Sequence, residues 1–139
     1  MLHVMPARIL IADDYEDNRE LLRLILLAAE YEVIEARDGE ECVTLAQHHV
    51  PGLIMVDLSM PKLDGWKVLK ALRADRRTRD IPCVAVTAYA EIDRNRALEA
   101  GFNSYLSKPF RIGELLEVVA HLMAARALQV STAEAGGEI

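Results

Sequence analysis

Residues 52–65 read GLIMVDLSMPKLDG, and this stretch decides how the rest of the chain is read. Leu53 to Val56 is an unbroken apolar run, the pattern of a strand buried on both faces of a parallel sheet. Asp57 ends the run. Pro61 and Gly65 bracket the loop that follows, where a rigid turn and a permissive backbone lie beside a candidate ligand site. Taken alone, an acid at a strand end is most often a helix cap or a loop charge.

Outward from this segment the same unit repeats. Strand candidates are Ala7–Ala12 (ARILIA), Glu32–Ala36 (EVIEA), Gly52–Asp57, Pro82–Thr87 (PCVAVT) and Asn103–Ser107 (NSYLS). Helical patterns cover about 17–30, 39–49, 64–74, 91–100 and 111–128. Strands one, three and four are nearly continuous Ile, Leu, Val, Met and Ala runs. The intervening helices supply the right-handed crossovers that a parallel sheet requires. The expected fold is α/β, a doubly wound (βα)5 open sheet of five parallel strands. Such a sheet binds ligands beyond the carboxyl ends of its strands. The domain is expected to span residues 1–128. The small, polar segment 129–139 (QVSTAEAGGEI) is expected to be a flexible tail.

Composition narrows the function. The chain has 139 residues, 52% hydrophobic and 27% charged, with a net charge of −6. A length of this order suits one domain. The acidic balance argues against nucleic acid, which needs a basic face. The basic run Arg73–Arg79 contains Asp75 and reads as a solvated helix end and loop. Two cysteines, Cys42 and Cys83, make neither a disulfide framework nor a metal site, and the four histidines (His3, His48, His49 and His121) show no ligand spacing. No signal peptide and no apolar run of roughly 18 residues is present. The expectation is a cytoplasmic protein that contacts no membrane.

The chemistry gathers at strand ends. Strand one ends in Asp13-Asp14, strand three in Asp57 and strand four in Thr87, while Lys108-Pro109 follows strand five. Three carboxylates held together repel and take up protons unless a cation joins them. Mg²⁺ suits such a site, taking one or two carboxylates with waters and phosphate oxygens. Lys108 adds a charge for an anion and Thr87 a hydroxyl for a phosphoryl oxygen. The set describes phosphoryl transfer onto a carboxylate.

At these positions the sequence resembles the receiver domain of two-component response regulators, of the single-domain type. The motifs are Ile9–Asp14 (ILIADD), Met55–Gly65 (MVDLSMPKLDG), Ala85–Ala88 (AVTA), Ala97–Phe102 (ALEAGF) and Tyr105–Phe110 (YLSKPF), over about residues 6–125. The resemblance implies a flavodoxin-like sheet of strand order 2-1-3-4-5. It implies that Asp57 is the phosphoacceptor and that Asp13, Asp14, Asp57 and the backbone carbonyl of Ser59 hold Mg²⁺. It further implies that Lys108 and Thr87 contact the phosphoryl group, that Tyr105 switches with Thr87, and that the Lys108–Pro109 peptide is cis. Ser59 and Tyr89 stand where the family tunes hydrolysis, and a bulky Tyr89 is expected to prolong the phosphorylated state. The donor would be a phosphohistidine on a histidine kinase or histidine phosphotransfer protein. The signal would leave through the fourth helix, fifth strand and fifth helix to a downstream protein target.

Two features depart from that pattern or stay open. Glu30 stands near a position where the family commonly has Gly; if the backbone there needs positive φ, Glu costs roughly 1 kcal/mol. The first helix is unusually apolar. Leu22, Ile25, Leu26 and Ala29 share one face, which leaves Leu24 and Leu27 on another as ordinary exposed leucines or as a docking surface. Other functional readings are a phosphorelay intermediate, a receiver cut from a hybrid histidine kinase, a pseudo-receiver and an aspartate-nucleophile phosphatase. The last usually has an acid two residues after its nucleophile, where this chain has Ser59.

Overall fold

Five strands and five helices alternate: β1 (Arg8–Ala12), α1 (Glu16–Ala28), β2 (Glu32–Ala36), α2 (Gly39–His49), β3 (Leu53–Asp57), α3 (Gly65–Ala74), β4 (Cys83–Thr87), α4 (Ala90–Ala100), β5 (Ser104–Ser107) and α5 (Ile112–Gly137). The computed structural model describes residues 7–88 and 90–137, with side chains for all of these except 90–92 and 127–137. All strand pairs are parallel and the order is β2-β1-β3-β4-β5, the doubly wound arrangement expected from the apolar runs. Among the described residues no helix is long and apolar enough to cross a membrane.

Alternation along the central strands divides the core in two. Leu10, Ala12, Ile54, Val56, Cys83 and Ala85 face the side covered by α2, α3 and α4, where Cys42, Ala46, Val68, Leu72 and Ala97 meet them. Ile9, Ile11, Leu53, Met55, Val84 and Val86 face the other side, against Leu22 and Leu26 of α1 and Leu115 and Val119 of α5. Because each central strand is covered on both faces, its side chains are apolar at consecutive positions. Both cysteines are buried. Burial pushes the Cys42 thiol far up and the Cys83 thiol up to about 11.

Helix ends follow local chemistry. Asp38 and Asp64 cap α2 and α3, accepting from the N–H groups of Glu41 at 2.9 Å and Lys67 at 3.0 Å. At the end of α1, Glu30 N–H donates to Leu27 O and Tyr31 N–H to Leu26 O, a Schellman turn that sets Glu30 at φ 70°. The positive φ anticipated for a glycine is therefore adopted by Glu30.

Two readings need revision. The fifth helix is expected over about 111–128, whereas the backbone of α5 stays helical to Gly137. Alanine at 124, 125, 127, 133 and 135 gives this segment high helix propensity despite its polar and small residues. Arg73 is no solvated helix end. Its guanidinium donates to Arg79 O, Ile81 O, Gly101 O and Asn103 Oδ1 at 2.7–3.2 Å, tying α3 to the loops around β4 and β5.

Candidate functional site

Sheet register assembles the site. Ala12 is paired with Val56, so the next residues, Asp13 and Asp57, emerge from adjacent strands. Thr87 is paired with Ser107, which brings Lys108 to the same edge. Gly65 lets the start of α3 approach this edge: a Cβ there would lie 2.8 Å from both Asp57 O and Leu58 Cα. Any larger residue at 65 forces the backbone apart.

Carboxylate oxygens of Asp13, Asp14 and Asp57 lie within 4.8 Å of one another, with Asp13 and Asp57 buried and Asp14 exposed. Lys108 Nζ bridges two of them, 3.2 Å from Asp13 Oδ2 and 3.1 Å from Asp57 Oδ2. The backbone also holds both acids: Tyr15 N–H donates to Asp13 Oδ1 and Ser59 N–H to Asp57 Oδ1, each at 2.9 Å. Burial raises the Asp13 carboxyl above its usual range, and the Asp57 charge adds to this against the lowering by Tyr15 N–H and Lys108. Burial pulls Lys108 down, but Asp57 and Asp13 together carry it above its ordinary value, so the ammonium stays charged. Three carboxylates facing one ammonium leave excess negative charge, which suits a hard divalent cation with oxygen ligands.

Other candidate residues are arranged around this cluster. Lys108–Pro109 is cis. Thr87 is buried and its hydroxyl donates to Asp93 Oδ2 of α4 at 2.8 Å. Ser59 is exposed. Tyr105 is half-buried on β5, with the Arg94 guanidinium 5.2 Å from its ring centroid. Tyr89 and His3 lie outside the described residues. Leu24 and Leu27 are exposed on α1, and Leu24 lines a shallow groove with Ile25, Ala28, Ile112 and Leu116. A second groove, of about 350 Å³, opens directly on Asp13 and Lys108 between Leu21, Leu22 and Phe110.

Reading the strand ends missed two residues. Arg19, on α1, is buried and donates from Nη1 to the Asp13 carbonyl at 2.8 Å. Asp93 engages Thr87 from α4. Both come from helices, so a search confined to strand ends passes over them. An acid in the first turns of the helix after Thr87 was a usable signal.

This constellation has counterparts in known proteins. The sequence signature of the response regulator receiver domain matches residues 9–120. The chain belongs to this family. The polar-differentiation response regulator DivK of Brucella anthropi is 38% identical over 116 residues, covering 83% of this chain and 94% of the relative. The receiver domain of a sensor histidine kinase from Pseudomonas aeruginosa, crystallised with a magnesium ion in its active-site cleft, superposes with a TM-score of 0.81 at 31% identity. That match covers 86% of this chain and 99% of the other. The chemotaxis protein CheY4 of Vibrio cholerae superposes at 0.78 with 28% identity, over 85% of this chain and 99% of that one. The protein is thus a receiver domain of two-component signalling, with an acidic cluster at the carboxyl edge of its sheet.

Proposed function

We propose that this receiver accepts a phosphoryl group on Asp57 from a phosphohistidine donor in a Mg²⁺-dependent reaction. A carboxylate oxygen of Asp57 would attack the phosphorus as the phosphorus–nitrogen bond of the donor breaks, leaving an acyl phosphate. The observation that carries this reading is the convergence of the Asp13, Asp14 and Asp57 carboxylates around one ammonium, Lys108. Asp13, Asp14, Asp57 and the Ser59 carbonyl are the proposed cation ligands. When bound, Mg²⁺ supplies neutralising charge at the phosphoryl oxygens.

The remaining roles follow from position. Lys108 already spans Asp13 and Asp57, so it is placed to pair with an added phosphoryl oxygen. Thr87 donates to that group after leaving Asp93, and Tyr105 follows Thr87. Ser59 and Tyr89 gate the water that hydrolyses the acyl phosphate. Because Ser59 supplies no general acid, the site works as a phosphoacceptor and not as a phosphatase. The receiver core is assigned to residues 1–128 and the protein to the cytoplasm.

A histidine kinase or histidine phosphotransfer protein is the proposed donor, docking near the site on the α1 side, where Leu24 and Leu27 are exposed. An unidentified protein target would read the α4–β5–α5 face. The coverage of 94% of DivK supports a stand-alone regulator. The match to a receiver carried by a sensor histidine kinase favours a second setting, in which the receiver serves a hybrid kinase or relay.

Mixing the protein with a phosphotransfer protein carrying radiolabelled phosphohistidine tests the reading. Label should move to the wild-type chain when Mg²⁺ is present and should fail to reach Asp57→Asn. Equal labelling of both proteins would overturn it.

A further inference from the structure

We propose that Arg19 is a positioning residue for the divalent-cation site, fixing the Asp13–Asp14 peptide and thereby the aim of Asp14. The inference rests on the assignment of Mg²⁺ to the Asp13, Asp14 and Asp57 cluster and adds to it a residue outside the ligand set.

Among the described residues Arg19 is the one buried Lys or Arg, 8% exposed. Burying a guanidinium is costly unless its donors are used. One use is evident: Nη1 donates to the Asp13 carbonyl oxygen at 2.8 Å. Nε has no hydrogen-bond partner and lies 3.6 Å from Glu35 Oε1, and Glu35 is shared with Arg23 at 3.7 Å. A leucine at this position of α1 would avoid that cost, so what the buried charge provides is the hydrogen bond to the Asp13 carbonyl together with the ion pair to Glu35.

Its target is a backbone carbonyl that no other donor reaches among the described residues. Asp13 N–H donates to Ala36 O at 3.2 Å, Asp13 Oδ1 accepts from Tyr15 N–H, and Oδ2 meets Lys108. The carbonyl completes the set, and among the described residues Arg19 is its one donor. Fixing this carbonyl fixes the plane of the Asp13–Asp14 peptide. Asp14 is exposed, so few surroundings constrain it and its backbone sets where its carboxylate points. Without Arg19 the peptide is free to rotate and one proposed ligand loses its aim. Partners that orient ligands commonly change metal affinity 10–100-fold.

Charge alone would act in the opposite direction. Arg19 is a cation close to a cation site, so removing it should tighten Mg²⁺ binding if Coulomb repulsion were its only influence. The two effects are separable by sign.

Calorimetric titration of Mg²⁺ into wild type, Arg19→Gln, Arg19→Lys and Glu35→Gln is the test, with thermal unfolding of each measured without Mg²⁺. The wild type should bind. Arg19→Gln should bind about 10-fold more weakly, Arg19→Lys should fall between the two, and Glu35→Gln, which leaves the Asp13 contact in place, should change least. Unchanged or tighter binding by folded Arg19→Gln, whatever its melting temperature, would overturn the proposal and leave the Mg²⁺ site standing. If Arg19→Gln does not fold, Arg19→Lys decides: weaker binding than wild type supports the role and equal binding overturns it. A wild type that binds no Mg²⁺ would overturn the cation-site assignment itself, and the role of Arg19 with it.

Discussion

The Thr87 hydroxyl donates a 2.8 Å hydrogen bond to Asp93 Oδ2, joining the end of β4 to α4. A hydroxyl carries one proton, and that proton is also the one Thr87 would offer to a phosphoryl oxygen. Phosphorylation would therefore have to break the tie to Asp93, which couples the state of Asp57 to α4. Removing Asp93 relieves the competition. A net hydrogen bond of about 1 kcal/mol corresponds to roughly five-fold in an equilibrium constant. Asp93→Ala should strengthen binding of the phosphoryl mimic beryllium trifluoride with Mg²⁺ by about that factor. The gain should vanish in a Thr87→Ala background, and a gain that survives there would show that Asp93 acts through another group.

Arg73 is expected to be a major stabilising residue although it lies in a basic, partly exposed run. Arg73→Ala removes a donor from three carbonyls and from the Asn103 amide oxygen, the last of which keeps the Cys83 N–H. Unfolding in urea should show a loss of about 2–3 kcal/mol. Arg73→Lys should recover less than half, because an ammonium cannot reproduce the planar fork.

At the end of α1, Glu30 occupies φ 70°. Glycine enters that region without the Cβ penalty, but it also loosens the unfolded chain. Glu30→Gly should raise stability by about 0.5–1 kcal/mol, read as a higher urea midpoint at unchanged slope. A lower midpoint would show that the Glu30 side chain contributes more than its backbone costs.

Asp38 caps α2, and its carboxyl is held below the usual range first by the Glu41 N–H and then by Lys62. A depressed folded value means that the unfolded chain binds the proton more tightly. The contribution of Asp38 is therefore complete above its unfolded value, near 3.8, and is lost as pH falls through the lower folded value. Asp38→Ala should cost about 1 kcal/mol at neutral pH. The gap to wild type should narrow below about pH 4, and a gap constant down to pH 2 would contradict this.

How much of this could be read in the chain differs from element to element. The central strands were legible because burial on both faces leaves continuous apolar runs such as Leu53–Val56, with Asp57 as an abrupt stop. The edge strand β2 keeps Glu32 and Glu35 in its pattern, yet its bounds matched because Val33, Ile34 and Ala36 still mark an extended, half-buried segment. Helix α5 ran further than expected, since alanine propensity outweighed the polar look of residues 129–137. At the site, residues delivered by strand ends were legible because the sheet brings strand ends together. Arg19 and Asp93 were not, because the rotation and tilt of α1 and α4 decide what their side chains reach. The work of Arg73 was hidden for a related reason: its acceptors are mostly backbone carbonyls, which carry no mark in a sequence.

Chemical trapping tests the phosphoacceptor assignment most directly. Borohydride reduces an aspartyl phosphate to homoserine, and peptide mass spectrometry then locates the reduced residue after incubation with acetyl phosphate. The expected result is homoserine at position 57 alone, formed with Mg²⁺ and absent when the cation is chelated. Homoserine at another aspartate, with Asp57 intact, would contradict the assignment.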